Sequence, residues 1–204
     1  MNTFWRKQGY KITMILISCI LLAAIFYVYF LRDEASDFPV QGEAAAFELS
    51  DIQGEPVSID NTSGNVRLLY FFFANCPDVC PPTTHMLSKV QERLQQAGVF
   101  GSDANILQVT FDPIRDTVDT LTKYAANFNA DLDAWRFLRG KEDETKSIGE
   151  KYGIFINKDP ETGFFIHSNT VILIDPNNQI RMRYNGNDLN DEKIASDVLK
   201  LIAE

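Results

Sequence analysis

The first and longest apolar run covers residues 12–31, twenty residues without a charge. At helical rise that crosses a hydrocarbon core of about 30 Å. Tyr10, Tyr27 and Tyr29 lie near its ends, where an interfacial aromatic belt sits. Residues 32–46 are acidic, rich in small residues and without period, which predicts a tether. From residue 47 short apolar segments alternate with turn signals. Residues 47–51 and 57–59 flank Gln53-Gly54-Glu55-Pro56, the pattern of a hairpin. Residues 66–73 are nearly all apolar, as in a central strand covered on both faces. A helix begins near Pro81, continues through 88–97 and stops at Gly98. A strand at 106–111, an amphipathic helix at 118–128, a strand at 135–138 and a helix at 142–152 follow. After Gly153 the chain reads as irregular, with turn signals at Asp159-Pro160 and Thr162-Gly163. Residues 170–174 and 180–184 make a hairpin over Asp175-Pro176-Asn177-Asn178, and 191–203 a closing helix.

Strand–helix alternation ending in a hairpin and a helix predicts an α/β, thioredoxin-like fold. It carries an added N-terminal β-hairpin and is preceded by a single transmembrane helix. The expected organisation is a cytoplasmic N-terminus at 1–11, an anchor at 12–31, a linker at 32–46 and one domain at 47–204.

Charge sharpens this picture. The chain carries -9 overall, but residues 1–31 hold Arg6, Lys7 and Lys11 and no acid, so the remainder sums to -12. Such a body is unsuited to nucleic acid, whose phosphates call for Lys and Arg. Basic residues before the apolar run, with Asp33, Glu34 and Asp37 after it, predict a single-pass protein whose domain is extracytoplasmic. Leu16-Ile17-Ser18-Cys19 is similar to a bacterial lipoprotein box. However, twelve mainly apolar residues follow Cys19 where a polar tether would be expected.

Three cysteines are present, and Cys19 lies inside the apolar run. That leaves Cys76 and Cys80, which follow a buried strand and introduce a helix. If residues 79 and 80 already lie in the first helical turn, the two sulfurs share a face. Such a pair can close a disulfide or grip one soft metal ion. Three residues separate the cysteines, against two in a thioredoxin-type redox pair. Phe73 stands where a peroxidase of this fold would want Thr. Only two histidines exist. His85, five residues past Cys80, falls on another helix face. His167 precedes the last hairpin, on a segment that in this fold can lie against the cysteine loop. Two thiolates and one imidazole suit copper, whereas zinc usually takes a fourth ligand. Asp78 and Asp112 are candidates for supporting or docking roles.

Cys76-Pro77-Asp78-Val79-Cys80-Pro81, Asp112-Pro113-Ile114-Arg115-Asp116-Thr117, His167-Ser168 and Ile174-Asp175-Pro176 together resemble the Sco/SenC family. Its members are membrane-anchored, thioredoxin-like copper chaperones for cytochrome c oxidase assembly. The resemblance spans about residues 45–204. It implies that Cys76, Cys80 and His167 bind copper, Cu(I) or Cu(II), and that Cys76 and Cys80 cycle through a redox-active disulfide. It also implies a bacterial cell-membrane location and the copper-bearing subunit of the oxidase as partner. An extracytoplasmic thiol–disulfide oxidoreductase is the alternative. Two departures stand out. Phe72-Phe73-Ala74 replaces the family's Gly-aromatic-Thr, and Ile166 replaces an Asp commonly found before the histidine.

Overall fold

The computed structural model describes residues 3–26, 38–161 and 163–204, in two units divided after Asp37. The first unit contains one helix, α1 (Thr3–Phe26), which carries Cys19 on an exposed face. Among the described residues no helix is long and apolar enough to cross a membrane. The expected span at 12–31 lies partly outside them, at residues 27–31.

The second unit opens with β1 (Gly42–Glu43), the hairpin β2 (Glu48–Asp51) and β3 (Pro56–Ser58), and β4 (Val66–Phe72). Next come α2 (Cys80–Gln96), β5 (Ala104–Thr110), α3 (Val118–Asn127), β6 (Trp135–Arg139) and α4 (Glu142–Lys151). The chain ends with β7 (Ile156–Lys158), β8 (Phe165–His167), β9 (Thr170–Ile174), β10 (Gln179–Asn185) and α5 (Asp191–Ile202). Eight strands form one sheet in the order β1-β10-β9-β4-β5-β6-β2-β3. Strands β4, β5 and β6 run parallel, and β9 joins β4 antiparallel. Parallel strands must be covered on both faces. Every residue of β4 is buried accordingly, and Leu68 to Phe72 all belong to the hydrophobic core.

Local chemistry sets the helix ends. Thr117 caps α3 by accepting from the Thr120 N–H, and Asn190 caps α5 by accepting from the Lys193 N–H. Helix α2 has no side-chain cap. Pro81 and Pro82 fill its first turn instead, removing two N–H groups that would otherwise lack partners.

Three expectations change. Residues 38–46 are not merely a tether: Phe38 and Ala44 are buried, and β1 pairs with β10 at the sheet edge. Helix α2 begins only at Cys80, so Cys76 sits in the preceding loop and the two cysteines do not share a helical face. The stretch after Gly153 is not irregular. It forms a separate two-stranded hairpin, β7–β8, in which Ile156 pairs with His167. Two three-residue strands are too short to write a period of two into a sequence.

Candidate metal centre

Cys76, Cys80 and His167 converge at the end of β4. One ligand atom from each, two Sγ and a ring nitrogen, all lie within 4.8 Å of one another. The His167 Nε2 is 3.7 Å from the Cys80 Sγ. Three different elements supply them: the loop after β4 carries Cys76, the first turn of α2 carries Cys80, and β8 carries His167. Both cysteines are free; Cys80 is 0% and Cys76 7% exposed.

The second ring nitrogen fixes how the imidazole faces the sulfurs. His167 Nδ1 lies 3.0 Å from the Ser168 carbonyl. A carbonyl oxygen only accepts, so a neutral ring carries its proton on Nδ1 and leaves the Nε2 lone pair toward the thiols. The ring stands against Phe111 and Phe73, with centroids at 5.0 and 5.8 Å. Apolar walls of this kind hold the imidazole without competing for Nε2.

The two thiols are chemically unequal. Cys80 keeps its proton and donates it toward Cys76, which pushes the Cys80 thiol up and burial pushes it further. The same hydrogen bond holds the Cys76 thiol far below the usual thiol range, against the cost of burial. Backbone groups around Asp78 and Cys80 add to that lowering. Cys76 is therefore the thiolate and Cys80 its donor.

Supporting residues lie behind this triad. The fully buried Tyr70 donates its hydroxyl to Asn169 Oδ1 at 3.1 Å and also lies against Cys80; burial, then Cys80, raises its pKa. Asn169 bonds to Thr83 of α2 and lies two residues beyond His167. Asp116 accepts from the Ala74 N–H at 2.9 Å and the Thr110 hydroxyl at 2.5 Å, tying the cysteine loop to the segment after β5. Burial raises its carboxyl pKa. Asp116 was visible in the Asp112–Thr117 motif. Tyr70 and Asn169 carried no signal beyond being polar within or beside apolar strands.

The remaining sequence candidates separate. His85 is exposed on α2 and stays outside the ligand group. Asp78 is exposed between the cysteines. Asp112 is 1% exposed and forms an ion pair with Arg115. No carboxylate joins the three ligand atoms among the described residues, so the donor set is two sulfurs and one imidazole. Soft or borderline transition ions prefer such a set over Mg²⁺ or Ca²⁺. At the rim, Ile166 is 61% exposed and brings no carboxylate to the site.

A thioredoxin-like α/β domain with a Cys–Cys–His cluster at the strand–helix junction thus defines the class. The SCO1/SenC family model matches residues 37–203, and the chain belongs to that family. It is 31% identical over 150 residues to the SCO1 protein homolog of Bacillus subtilis, covering 72% of this chain and 76% of that protein. Identity to the SCO2-like protein RP587 of Rickettsia prowazekii is 30% over 187 residues, covering 84% and 88%. Among solved structures, a SCO1/SenC family lipoprotein from Bacillus anthracis superposes with a TM-score of 0.74 at 27% identity, over 81% of this chain and 98% of that one. BsSco, described as a cytochrome c oxidase assembly protein with a disulfide switch, gives 0.71 at 29% identity, over 81% and 97%. Copper-bound ScoI of Arabidopsis thaliana gives 0.67 at 26% identity, over 78% and 98%.

Proposed function

We propose that this protein is a copper metallochaperone in which Cys76, Cys80 and His167 hold the ion. The carrying observation is the gathering of two sulfurs and one imidazole nitrogen within 4.8 Å. Copper is the cargo such a set favours: Cu(I) is satisfied by the two sulfurs, while imidazole adds most to Cu(II). Copper-bound ScoI and the description of BsSco support a role in cytochrome c oxidase assembly, with the copper-bearing subunit as recipient. Release proceeds by ligand exchange, and of the two sulfurs Cys76, the more accessible, is the first to be replaced by a partner's ligand. The uncharged run at 12–31, with basic residues before it and acidic ones after, supports anchorage in a bacterial membrane with the domain outside the cytoplasm.

The same sulfurs support a second reading, dithiol exchange. The Cys76 thiolate attacks a client disulfide, forming a mixed disulfide and releasing one client thiolate. Cys80, once deprotonated, attacks Cys76 Sγ, closing the Cys76–Cys80 bond and expelling the second client thiolate. The client is reduced by two electrons and this protein oxidised by two.

Titrating the reduced full chain with Cu(II) and Cu(I) tests the first reading. A thiolate-to-Cu(II) charge-transfer band with nitrogen hyperfine structure, both altered in His167→Ala, is expected. Identical spectra for parent and variant would remove His167 from the site. Loss of copper binding alongside intact disulfide exchange would favour the second reading.

A further inference from the structure

Among the described residues the hairpin bearing His167 has no strand partner in the main sheet, and β7 and β8 pair with each other. A lone two-stranded hairpin is marginal in water, so its placement rests on side-chain contacts. One residue concentrates them at its tip. The Arg115 guanidinium pairs with the buried Asp112 and donates from Nη2 to the Gly163 carbonyl at 3.0 Å. Its Cζ stands 5.9, 6.0 and 5.9 Å from the ring centroids of Phe73, Phe164 and Phe165. Phe73 belongs to the cysteine loop, whereas Gly163, Phe164 and Phe165 belong to the hairpin. Phe165 in turn rests on Phe111 and Phe73, the two rings that also flank His167. One planar cation therefore bridges the cysteine loop, the loop after β5 and the hairpin.

The geometry points to Arg115 as the positioning residue for the His167 ligand: its clasp on the hairpin sets how long the imidazole stays over the two sulfurs. This inference rests on the copper reading above. Opening the clasp loosens the tip of the hairpin, whose other strand stays held by buried Ile156 and the Lys158–Glu142 ion pair, while Cys76 and Cys80 keep their supports in Asp116 and helix α2. The imidazole then leaves while both sulfurs remain. Arg115 thus acts on Cu(II), which needs the nitrogen, and not on Cu(I) held by sulfur. Lysine cannot reproduce the effect fully, because a point charge does not fork to both Asp112 and the Gly163 carbonyl while lying flat on rings.

The test uses the full chain with Arg115→Gln and Arg115→Lys beside the parent and His167→Ala. Cu(II) is removed by a competing chelator in stopped flow, and Cu(I) affinity is measured by probe competition. Arg115→Gln is expected to speed Cu(II) loss at least tenfold, with Arg115→Lys between it and the parent and Cu(I) affinity within threefold throughout. In the metal-free protein, the His167 ring resonances are expected to broaden or shift in Arg115→Gln, a readout independent of copper. Unchanged ring resonances and an unchanged Cu(II) off-rate would overturn the inference. So would equal losses in Cu(I) affinity, Cu(II) affinity and thermal midpoint, the mark of a merely structural residue. Absence of a thiolate–Cu(II) band in the parent would instead sink the copper reading, while the ring resonances would still report on the clasp.

Discussion

The inequality of the two thiols gives the sharpest prediction. An ordinary cysteine has a pKa of about 8.5, so its thiolate fraction rises on the order of fifty-fold or more between pH 6 and pH 8. Cys76 is held far below that range by the hydrogen bond from Cys80. It is already ionised at pH 6, and its alkylation by iodoacetamide is expected to change by less than about twofold across the interval. Cys80, fully buried and with its pKa raised, is expected to stay unmodified. A low-pKa thiolate is intrinsically less nucleophilic, so the shape of the profile carries the test rather than its height. The assay is timed alkylation of reduced, chelator-treated protein, quenched and mapped by mass spectrometry so that Cys19 is read separately. A Cys76 rate rising tenfold per pH unit, or earlier labelling of Cys80, would refute the assignment. The same shift has a stability sign. Because the folded-state pKa of Cys76 is depressed, its contribution is fully present above the unfolded value of about 8.5 and is lost as pH falls through the folded value. Parent and Cys76→Ser should therefore differ most in urea midpoint near pH 9 and converge as the pH is lowered.

Phe72, packed among Tyr70, Tyr124 and Phe137 with centroids 5.3–6.3 Å away, fills core volume where the family often has glycine. Phe72→Ala should cost about 3–5 kcal/mol in urea unfolding, with the spectrum of the copper-loaded protein unchanged. Asp116→Ala leaves the Ala74 N–H and the Thr110 hydroxyl without their shared acceptor. A loss of about 1–3 kcal/mol is expected, together with faster hydrogen exchange at Ala74. A Cβ on Gly186 would stand 2.2 Å from Asn169 Cγ. Gly186→Ala should therefore displace Asn169 from Thr83 and Tyr70, lowering the thermal midpoint and weakening Cu(II) more than Cu(I).

The main sheet was legible because its segments carry their own signals. Residues 66–73 form an apolar run too short for a helix, and β4 is buried along its whole length. Gly98, the expected stop of α2, has φ +74°, which an L side chain rarely adopts. Asp175-Pro176-Asn177-Asn178 marks the β9–β10 turn, where Asn178 takes φ +62°. The sheet edge was not legible. Two residues pairing with β10 leave no pattern in a stretch of small and acidic residues, and Phe38 in isolation does not announce that it is buried. The β7–β8 hairpin escaped for the same reason: with three residues to a strand, its identity comes from tertiary contact rather than from local preference.

The site repeats that division at the level of single side chains. Cys76 and Cys80 are four residues apart, and spacing alone put them together. His167 is 87 residues beyond Cys80, and only residue type and motif resemblance pointed to it. Of the residues that support the triad, Tyr70 and Asn169 answer to neither signal, and the Asp112–Thr117 motif that holds Arg115 does not name its partner. Tyr70 stands ninety-nine residues before its partner Asn169, and Arg115 forty-eight before Gly163. Each joins elements whose meeting depends on the whole sheet being in register, since a slip of one residue in β9 would turn its buried side chains to the opposite face. A further consequence concerns cargo handling. Each ligand rides on a different element, and each element has its own fastening: Asp116 for the loop, the core for α2, Arg115 for the hairpin. At the tip of the hairpin the Arg115 contact is partly exposed, whereas Asp116 and the core under α2 are buried. On the copper reading proposed above, water competes at the exposed contact and not at the buried ones, so the imidazole is expected to leave before the sulfurs. An ion stripped of its nitrogen retains the two sulfurs, a set that favours Cu(I) over Cu(II). On the proposed copper reading, the order in which the fastenings yield therefore decides which oxidation state the site retains once the imidazole has left.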